Sequence, residues 1–299
     1  MKILVTGGLG FIGSSLVEFL LEKKNSSEIH VLNHLLTEKT KRNYDRLRDR
    51  VRIHVMDVCD EAGVSALFER ERYDTVIHLA ARAGVRESSA IPGIYRRNNI
   101  EGTLVLLEAV RRHAPAARCV LASSSTVHAE PVTSFYGLTK KVMEQMAELY
   151  CRLHGLNIVC LRFFSVYGSD CRNDLLVGRI LECIREQRSL EIFGDGSIRR
   201  DFTHIEDTLE AIRRTIQTPI QGFHVMDVGT GENHSILDVV EVIRGMRPLE
   251  VVHVSRNRED QEVSRARVDD ALRVLGFRAG IDLHTGLRKT IEKTPQQMR

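Results

Sequence analysis

Lys2-Ile3-Leu4-Val5-Thr6-Gly7-Gly8-Leu9-Gly10-Phe11-Ile12-Gly13 decides how this chain folds. Its first half is apolar without alternation, as a strand covered on both faces is. Its second half places glycines at 7, 10 and 13. A residue without Cβ makes the tight turn, another lets the backbone approach a pyrophosphate, and the last lets a helix pack closely on the strand. The helix that follows offers free N–H groups and the positive end of its dipole to phosphates. The spacing is G-x-x-G-x-x-G rather than G-x-G-x-x-G, but the physics is shared. Gly7, Gly10, Phe11, Ile12 and Gly13 are therefore the first candidate dinucleotide contacts.

Outward from that turn, short apolar runs alternate with helical patterns. Lys2–Thr6, Glu28–Leu32, Val51–Met56, Thr75–Leu79, Arg118–Ser123, Ile158–Arg162 and Phe223–Val228 read as strands. Phe11–Lys24, Ala62–Arg70, Asn99–His113, Phe135–Leu153 and Glu206–Ile216 read as helices. The alternation predicts the α/β class: a Rossmann-type, doubly wound parallel sheet with helices on both faces. The rhythm weakens between Ser165 and Arg200 and again after Gly231. Those segments predict a smaller C-terminal substrate-binding lobe, placed above the carboxyl ends of the strands where open α/β sheets bind ligands. The expected division is 1–164 plus about 206–230 for the dinucleotide domain, and about 165–205 plus 231–299 for the lobe.

The bulk numbers agree with an ordinary globular protein: 299 residues, 42% hydrophobic and 28% charged. A net charge of +3 makes no case for nucleic acid or a membrane surface. Six scattered cysteines without a C-x-x-C pair fit reduced thiols in the cytoplasm and no zinc site. No apolar run is long enough to cross a bilayer, and the first residues already read as a strand rather than a signal peptide.

The second strand ends Val31-Leu32-Asn33-His34, where an acidic residue normally holds the adenosine ribose. Asn33 can still donate and accept hydrogen bonds. The reading is NAD rather than NADP, with Lys39, Lys41 and Arg42 close behind. Asp57, expected at the end of the third strand, either accepts from the adenine amino group or simply caps the strand.

Tyr136 and Lys140 are four apart and share a helix face. Thr133 or Ser134 can cap that helix and Gly155 can end it. A free phenol has a pKa of about 10, so it is a poor base at neutral pH. A nearby ammonium favours the phenolate. Ser124, at a strand's carboxyl end, can hydrogen-bond the substrate oxygen that loses its proton. A positioned base, an orienting hydroxyl and a hydride acceptor are what reversible alcohol oxidation needs.

Nearly the whole chain resembles the extended short-chain dehydrogenases/reductases, and within them the NAD-dependent nucleotide-sugar epimerases. The stretches that carry the resemblance are "TGGLGFIGS", "VIHLAA", "NIEGT", "SSSTV", "YGLTK", "LRFFSVYG", "RRDFTHIED" and "DVGTGE". It implies Ser124, Tyr136 and Lys140 as the catalytic trio. It implies that Val58, Leu79, Ala80, Ala81, Asn99, Ser123 and Phe163 line the cofactor, with Tyr136 and Lys140 also touching it. Dehydratases of the superfamily carry an Asp-Glu pair after the catalytic threonine, and decarboxylases a glutamate. Here Ser125-Thr126 stands there, which favours epimerisation.

Three features resemble UDP-glucuronate 4-epimerases: "AARAGVRES" with Arg86, Ser165 in "RFFSVYG", and Arg172 seven residues on. In that family the last two positions hold the sugar carboxylate. Oxidising C4 of a glucuronate makes a β-keto acid, which loses CO₂ when the carboxylate bond aligns with the carbonyl π orbitals. A bidentate arginine and a hydroxyl can hold the carboxylate away from that alignment. Ser125 joins Ser124 among the expected substrate contacts, Arg200 is expected on the nucleotide diphosphate, and Arg256 or Arg258 in "SRNREDQE" on its second phosphate contact.

The connection from Ser124 to Tyr136 is shorter than the family's, with His128-Ala129 where Tyr-Gly is common. The leading expectation is C4 epimerisation of UDP-glucuronate to UDP-galacturonate. The alternatives are a 4-epimerase of UDP-glucose and UDP-galactose, or of their N-acetylhexosamine counterparts, and a catalytically idle NAD-binding scaffold. The resemblance further implies a homodimer through Asn99–His113 and Phe135–Leu153, where Met143, Met146, Ala147, Tyr150 and Leu153 are apolar.

Overall fold

The computed structural model describes residues 1–23, 27–34, 37–255 and 263–294. Seven strands form one sheet: Lys2–Thr6 (β1), Glu28–Asn33 (β2), Arg52–Val55 (β3), Thr75–His78 (β4), Arg118–Ser124 (β5), Asn157–Phe163 (β6) and a closing strand, Phe223–Val228. Their order is closing strand, β6, β5, β4, β1, β2, β3. The strand order reverses between β1 and β4, the crevice where doubly wound sheets bind dinucleotides. β1 pairs in parallel with both neighbours, Ile3 lying opposite Ile29 on β2 and Thr75 on β4. Ile3, Leu4 and Val5 are fully buried, so the unbroken apolar run has the cause the sequence reading gave it.

The chain divides into two compact units, Met1–Arg162 with Ile212–Met226, and Phe163–Ala211 with Asp227–Arg299. In the first, the helices Phe11–Glu22, Glu61–Glu71, Gly102–His113 and Phe135–His154 cover the sheet. Val76, Leu107, Cys119, Leu121, Met143 and Ile158 sit in one apolar cluster between sheet and helices. Ser134, not Thr133, caps Phe135–His154 by accepting from Gly137 N, and Gly155 ends it with φ +67°. Such a φ suits glycine, which has no Cβ to clash.

Several boundaries differ from the sequence reading. The third strand stops at Val55, so Asp57 lies in the turn beyond it. The helix expected from Asn99 opens with a wider π-type turn, Arg96–Glu101. Glu38–Leu47 is a helix capped by Thr37. It is polar on most sides and buries only Asn43 and Leu47, so no apolar stripe announced it. Of the apolar positions read as a dimer face, Met143 and Ala147 are buried in the core, while Met146 and Tyr150 pack against it. Leu153 is exposed, together with Leu104, Leu138 and Leu149.

The second unit is built from short two-stranded ladders. Ser165–Tyr167 pairs with Phe202–His204, Arg199–Arg200 with His234–Ser235, and Leu190–Phe193 with Val251–Val254. The fully buried Asp201 binds three segments together. Its carboxylate accepts from Thr230 N at 2.9 Å, Gly231 N at 2.9 Å and Ala266 N at 3.1 Å. Its own carbonyl accepts from Ser165 N at 2.9 Å.

The closest backbone approach in the first unit is at Gly13, where a Cβ would stand 2.2 Å from the Gly7 carbonyl oxygen. The neighbour is backbone and cannot rotate away. Gly13→Ala is expected to destabilise the protein by about 1–3 kcal/mol in denaturant unfolding, whereas Gly155→Ala, with open space around it, should act through φ strain alone.

Candidate active site

The glycine turn sits at the carboxyl end of β1 and is held from three sides. Gly7, with φ +70°, donates its N–H to Leu32 O on β2 at 2.8 Å. A Cβ there would lie 2.7 Å from Ala80 N in the segment after β4. Gly10 N donates to Gly7 O at 3.0 Å. Gly10 is also the N-cap of Phe11–Glu22, and no side chain caps the helix there. A Cβ on Gly10 would meet only the Gly7 carbonyl, at 3.2 Å. Open space before uncapped N–H groups fits the pyrophosphate of a dinucleotide.

Beneath the turn runs a buried polar chain. Thr6 Oγ1 bonds His78 Nδ1 at 2.7 Å and accepts from Ala80 N at 3.2 Å. His78 Nε2 meets Thr103 Oγ1 at 3.1 Å. Burial pushes the His78 pKa down to about 3, so this ring is neutral and acts by hydrogen bonding. Thr6 in "TGGLGFIGS", His78 in "VIHLAA" and Thr103 in "NIEGT" carried no individual mark, because their meaning is their mutual contact.

Asn33 Oδ1 accepts from Leu9 N at 3.1 Å, so the amide that stands where an acid is usual braces the glycine turn. Asp57 accepts from Cys59 N at 2.9 Å and pairs with Arg97 at 2.8 Å. Asn99 is buried, with its amide donating to Arg82 O and Thr139 Oγ1, each at 3.0 Å, and accepting from Arg82 N at 2.8 Å. It ties the segment after β4 to the helix carrying Tyr136. Of the other expected cofactor contacts, Val58 and Phe163 are buried, Ile12, Leu79 and Ala80 are partly exposed, and Ala81 is exposed.

Ser124 ends β5, and the chain turns at once into a short 3-10 helix, Ser125–His128. Thr126 donates to Ser124 Oγ from its hydroxyl at 3.0 Å and from its N–H at 3.3 Å. The serine oxygen is thus an acceptor here, which leaves its hydrogen to donate elsewhere. A Cβ on Gly137, next to Tyr136, would lie 3.2 Å from Thr126 O. The turn that orients Ser124 therefore packs on the first turn of the helix that bears the phenol.

The Tyr136 ring meets the edge of Tyr95, centroids 6.3 Å apart at 76°. Tyr95 is fully buried and donates to Glu87 at 2.8 Å, and Glu87 pairs with Arg82. Lys140 Nζ lies 6.0 Å from the Tyr136 ring centroid. Lys140 is 4% exposed and donates to Ala122 O at 2.6 Å. Burial lowers its pKa to about 8. The ammonium is thus retained at neutral pH, one turn along the helix from the phenol.

Among the expected substrate contacts, Arg86 is exposed on the short helix Val85–Ala90 and Ser125 is partly exposed. In the second unit, Ser165 opens its strand, Arg172 is held by both oxygens of Asp174, and Arg200 donates to Arg199 O at 2.9 Å. Arg256 and Arg258 lie outside the described residues.

A doubly wound sheet with a glycine cradle and a Ser-Tyr-Lys constellation at β5 defines a dinucleotide-dependent enzyme of the short-chain dehydrogenase/reductase class. The chain belongs to the NAD dependent epimerase/dehydratase family, whose model matches residues 3–229. It is 32% identical to a UDP-glucuronate 4-epimerase of Thermodesulfobacterium geofontis, over 96% of this chain and 94% of the relative. It superposes on a UDP-glucuronic acid 4-epimerase from Bacillus cereus, solved with UDP-glucuronic acid and NAD, with a TM-score of 0.89, 30% identity and 98% coverage of both chains. A UDP-glucose 4-epimerase from Thermotoga maritima, solved with UDP-glucose, also gives 0.89, at 27% identity and the same coverage.

The Lys140 value sets a testable sign. Above about 8 the amine is neutral and no longer favours the phenolate. Turnover is expected to fall as pH rises through that value. A rate profile flat from about pH 7 to about pH 10 would remove Lys140 from this role.

Proposed function

We propose that the chain inverts C4 of a UDP-sugar with NAD, turning UDP-glucuronate into UDP-galacturonate. The observation that carries the reading is the Ser124–Thr126–Tyr136–Lys140 arrangement, which offers a phenol, an orienting hydroxyl and an ammonium but no carboxylate at 125 or 126. The similarity to UDP-glucuronate 4-epimerases supports the sugar.

The uncapped N–H groups at the start of Phe11–Glu22 and Lys140 would hold NAD, which would supply the reversible hydride acceptor. Tyr136 as phenolate takes the proton of the C4 hydroxyl and gives it back after the ring has turned. Ser124, whose oxygen is already satisfied by Thr126, donates to the same sugar oxygen. Lys140 keeps the phenol acidic enough to exchange that proton at neutral pH. Ser125 and Thr126 stand where dehydratases and decarboxylases of the superfamily carry carboxylates, which supports epimerisation over elimination.

Ser165 and Arg172 are the proposed grip on the sugar carboxylate. Arg172 already holds a carboxylate in two-pronged fashion, that of the half-exposed Asp174, and the substrate's would take its place. Arg200 is proposed for the diphosphate, and Arg86 and Ser125 for the sugar side of the pocket. The first unit is proposed to carry the cofactor and the second the nucleotide sugar. Exposed Leu104, Leu138, Leu149 and Leu153 on the two long helices support a homodimer through that face. Six cysteines, none of them in a disulfide, support a reducing compartment such as the cytoplasm. Among the described residues no helix is long and apolar enough to cross a membrane.

Incubation with UDP-glucuronate and, separately, UDP-glucose, followed by proton NMR without added oxidant, tests the reading. Inversion of the uronate at C4 is expected, abolished in Tyr136→Phe. Preference for the neutral hexose would replace the sugar assignment. No inversion of either sugar by wild type or Tyr136→Phe would mean an idle scaffold, and equal inversion by both would remove Tyr136 from the reaction. Arg172→Ala is expected to raise the proportion of decarboxylated 4-keto product over epimer, and an unchanged ratio would remove the grip.

A further inference from the structure

One turn beyond Lys140, the same helix face reaches Glu144. Glu144 is 7% exposed. Its carboxylate accepts from the Ser123 hydroxyl and from both prongs of Arg162, Nε at 2.9 Å and Nη2 at 2.7 Å. Ser123 lies on β5 and Arg162 on the adjacent β6. One residue before Ser123, the Ala122 carbonyl holds Lys140. Two consecutive residues of β5 are thus fastened to two consecutive turns of the helix, and the next residue of the strand is Ser124.

We propose that Glu144 and Arg162 are positioning residues for the reaction: together they set the register between the strand end bearing Ser124 and the helix face bearing Tyr136 and Lys140, and their charges cancel beside Lys140. The proposal rests on the catalytic reading of those three residues given above. A bare carboxylate at 144 would compete with Tyr136 for the ammonium. A guanidinium taking both of its oxygens leaves it a hydrogen-bond acceptor with little net field. Tyr136 and Glu144 on the same helix, His78 on β4 and Cys160 on β6 face Lys140, while Arg162 on β6 bonds Glu144 and acts, with Cys119 on β5, on Cys160. Burial holds His78 neutral and pushes both thiols up, Cys119 to about 12. The local charge balance is therefore made by Lys140, Glu144 and Arg162.

The test uses the NAD-loaded full chain and two readouts, epimerisation kinetics and a lysine side-chain NMR titration whose resonance is assigned by its loss in Lys140→Met. Glu144→Gln keeps the shape but leaves the Arg162 charge unpaired, so the Lys140 midpoint is expected to fall by about one pH unit. The alkaline limb of the rate should follow it, with KM little changed. Adding Arg162→Met to Glu144→Gln removes both charges and is expected to return the midpoint to its wild-type place. Arg162→Lys keeps the charge but loses the two-pronged grip; kcat is expected to drop about tenfold through misplacement, with midpoint and KM unchanged.

A Glu144→Gln protein that melts earlier yet titrates at the wild-type midpoint overturns the proposal, because the pair is then only a structural salt bridge. Should Glu144→Gln fail to fold, Arg162→Lys decides alone: wild-type kcat overturns the proposal, and a kcat loss at constant KM supports it. A wild-type protein that inverts no UDP-sugar would sink the proposed function, while the lysine titration would still read the pair.

Discussion

The close approach of Phe11–Glu22 to β1 is the constraint on which the molecule depends. Gly13 packs against the Gly7 carbonyl at a distance no Cβ permits, and Gly7 in turn packs against the backbone after β4. Only that contact brings the uncapped start of the helix to the carboxyl ends of β1 and β4, beside the point where strand order reverses. A helix displaced outward by one methyl group would still cover the sheet. It would no longer aim its free N–H groups at the place where a pyrophosphate can lie.

Around that cradle the polar side chains, buried or half-buried, bond to the protein itself. Asn33, Asp57 and Asn99 all bond neighbouring backbone or side chains, and the Thr6–His78–Thr103 chain is closed within the core. Such groups must be satisfied when removed from water, and each bond made this way also fixes one loop against the next. The groups proposed to react differ. Ser124 accepts from Thr126 and keeps a hydrogen to donate. Lys140 is buried far enough to lower its pKa to about 8, yet not enough to lose its charge at neutral pH. A fully solvated lysine would be too strongly screened to act on the phenol, and an uncharged one would not act at all.

Much of this was legible from one chain. The glycine spacing after an apolar run, the alternation of strands and helices, and Tyr-x-x-x-Lys after a serine-rich strand end are local patterns. They survive translation into sequence because each is imposed by backbone geometry within a few residues. The polar helix Glu38–Leu47 was missed because it presents hardly any apolar stripe. The dimer face was misread at Met143 and Ala147 because an amphipathic pattern reports that a residue is covered and does not say by what. Asp57 was placed at a strand end because the pattern read as a strand continues to Met56, one residue past the last strand residue, Val55.

The sequence alone determined the fold class and the dinucleotide cradle, and it singled out the phenol, amine and hydroxyl proposed to react, since those patterns follow from periodicity, turn chemistry and spacing along the backbone. Tertiary structure decided what the intervening polar residues do. That Asn33 braces the glycine turn, that His78 joins Thr6 to Thr103, and that Glu144 is shared by Ser123 and Arg162 depends on pairs brought together by strand order. A hydrogen bond between residues on different strands and helices leaves no periodicity to read, because its geometry exists only once the sheet has assembled.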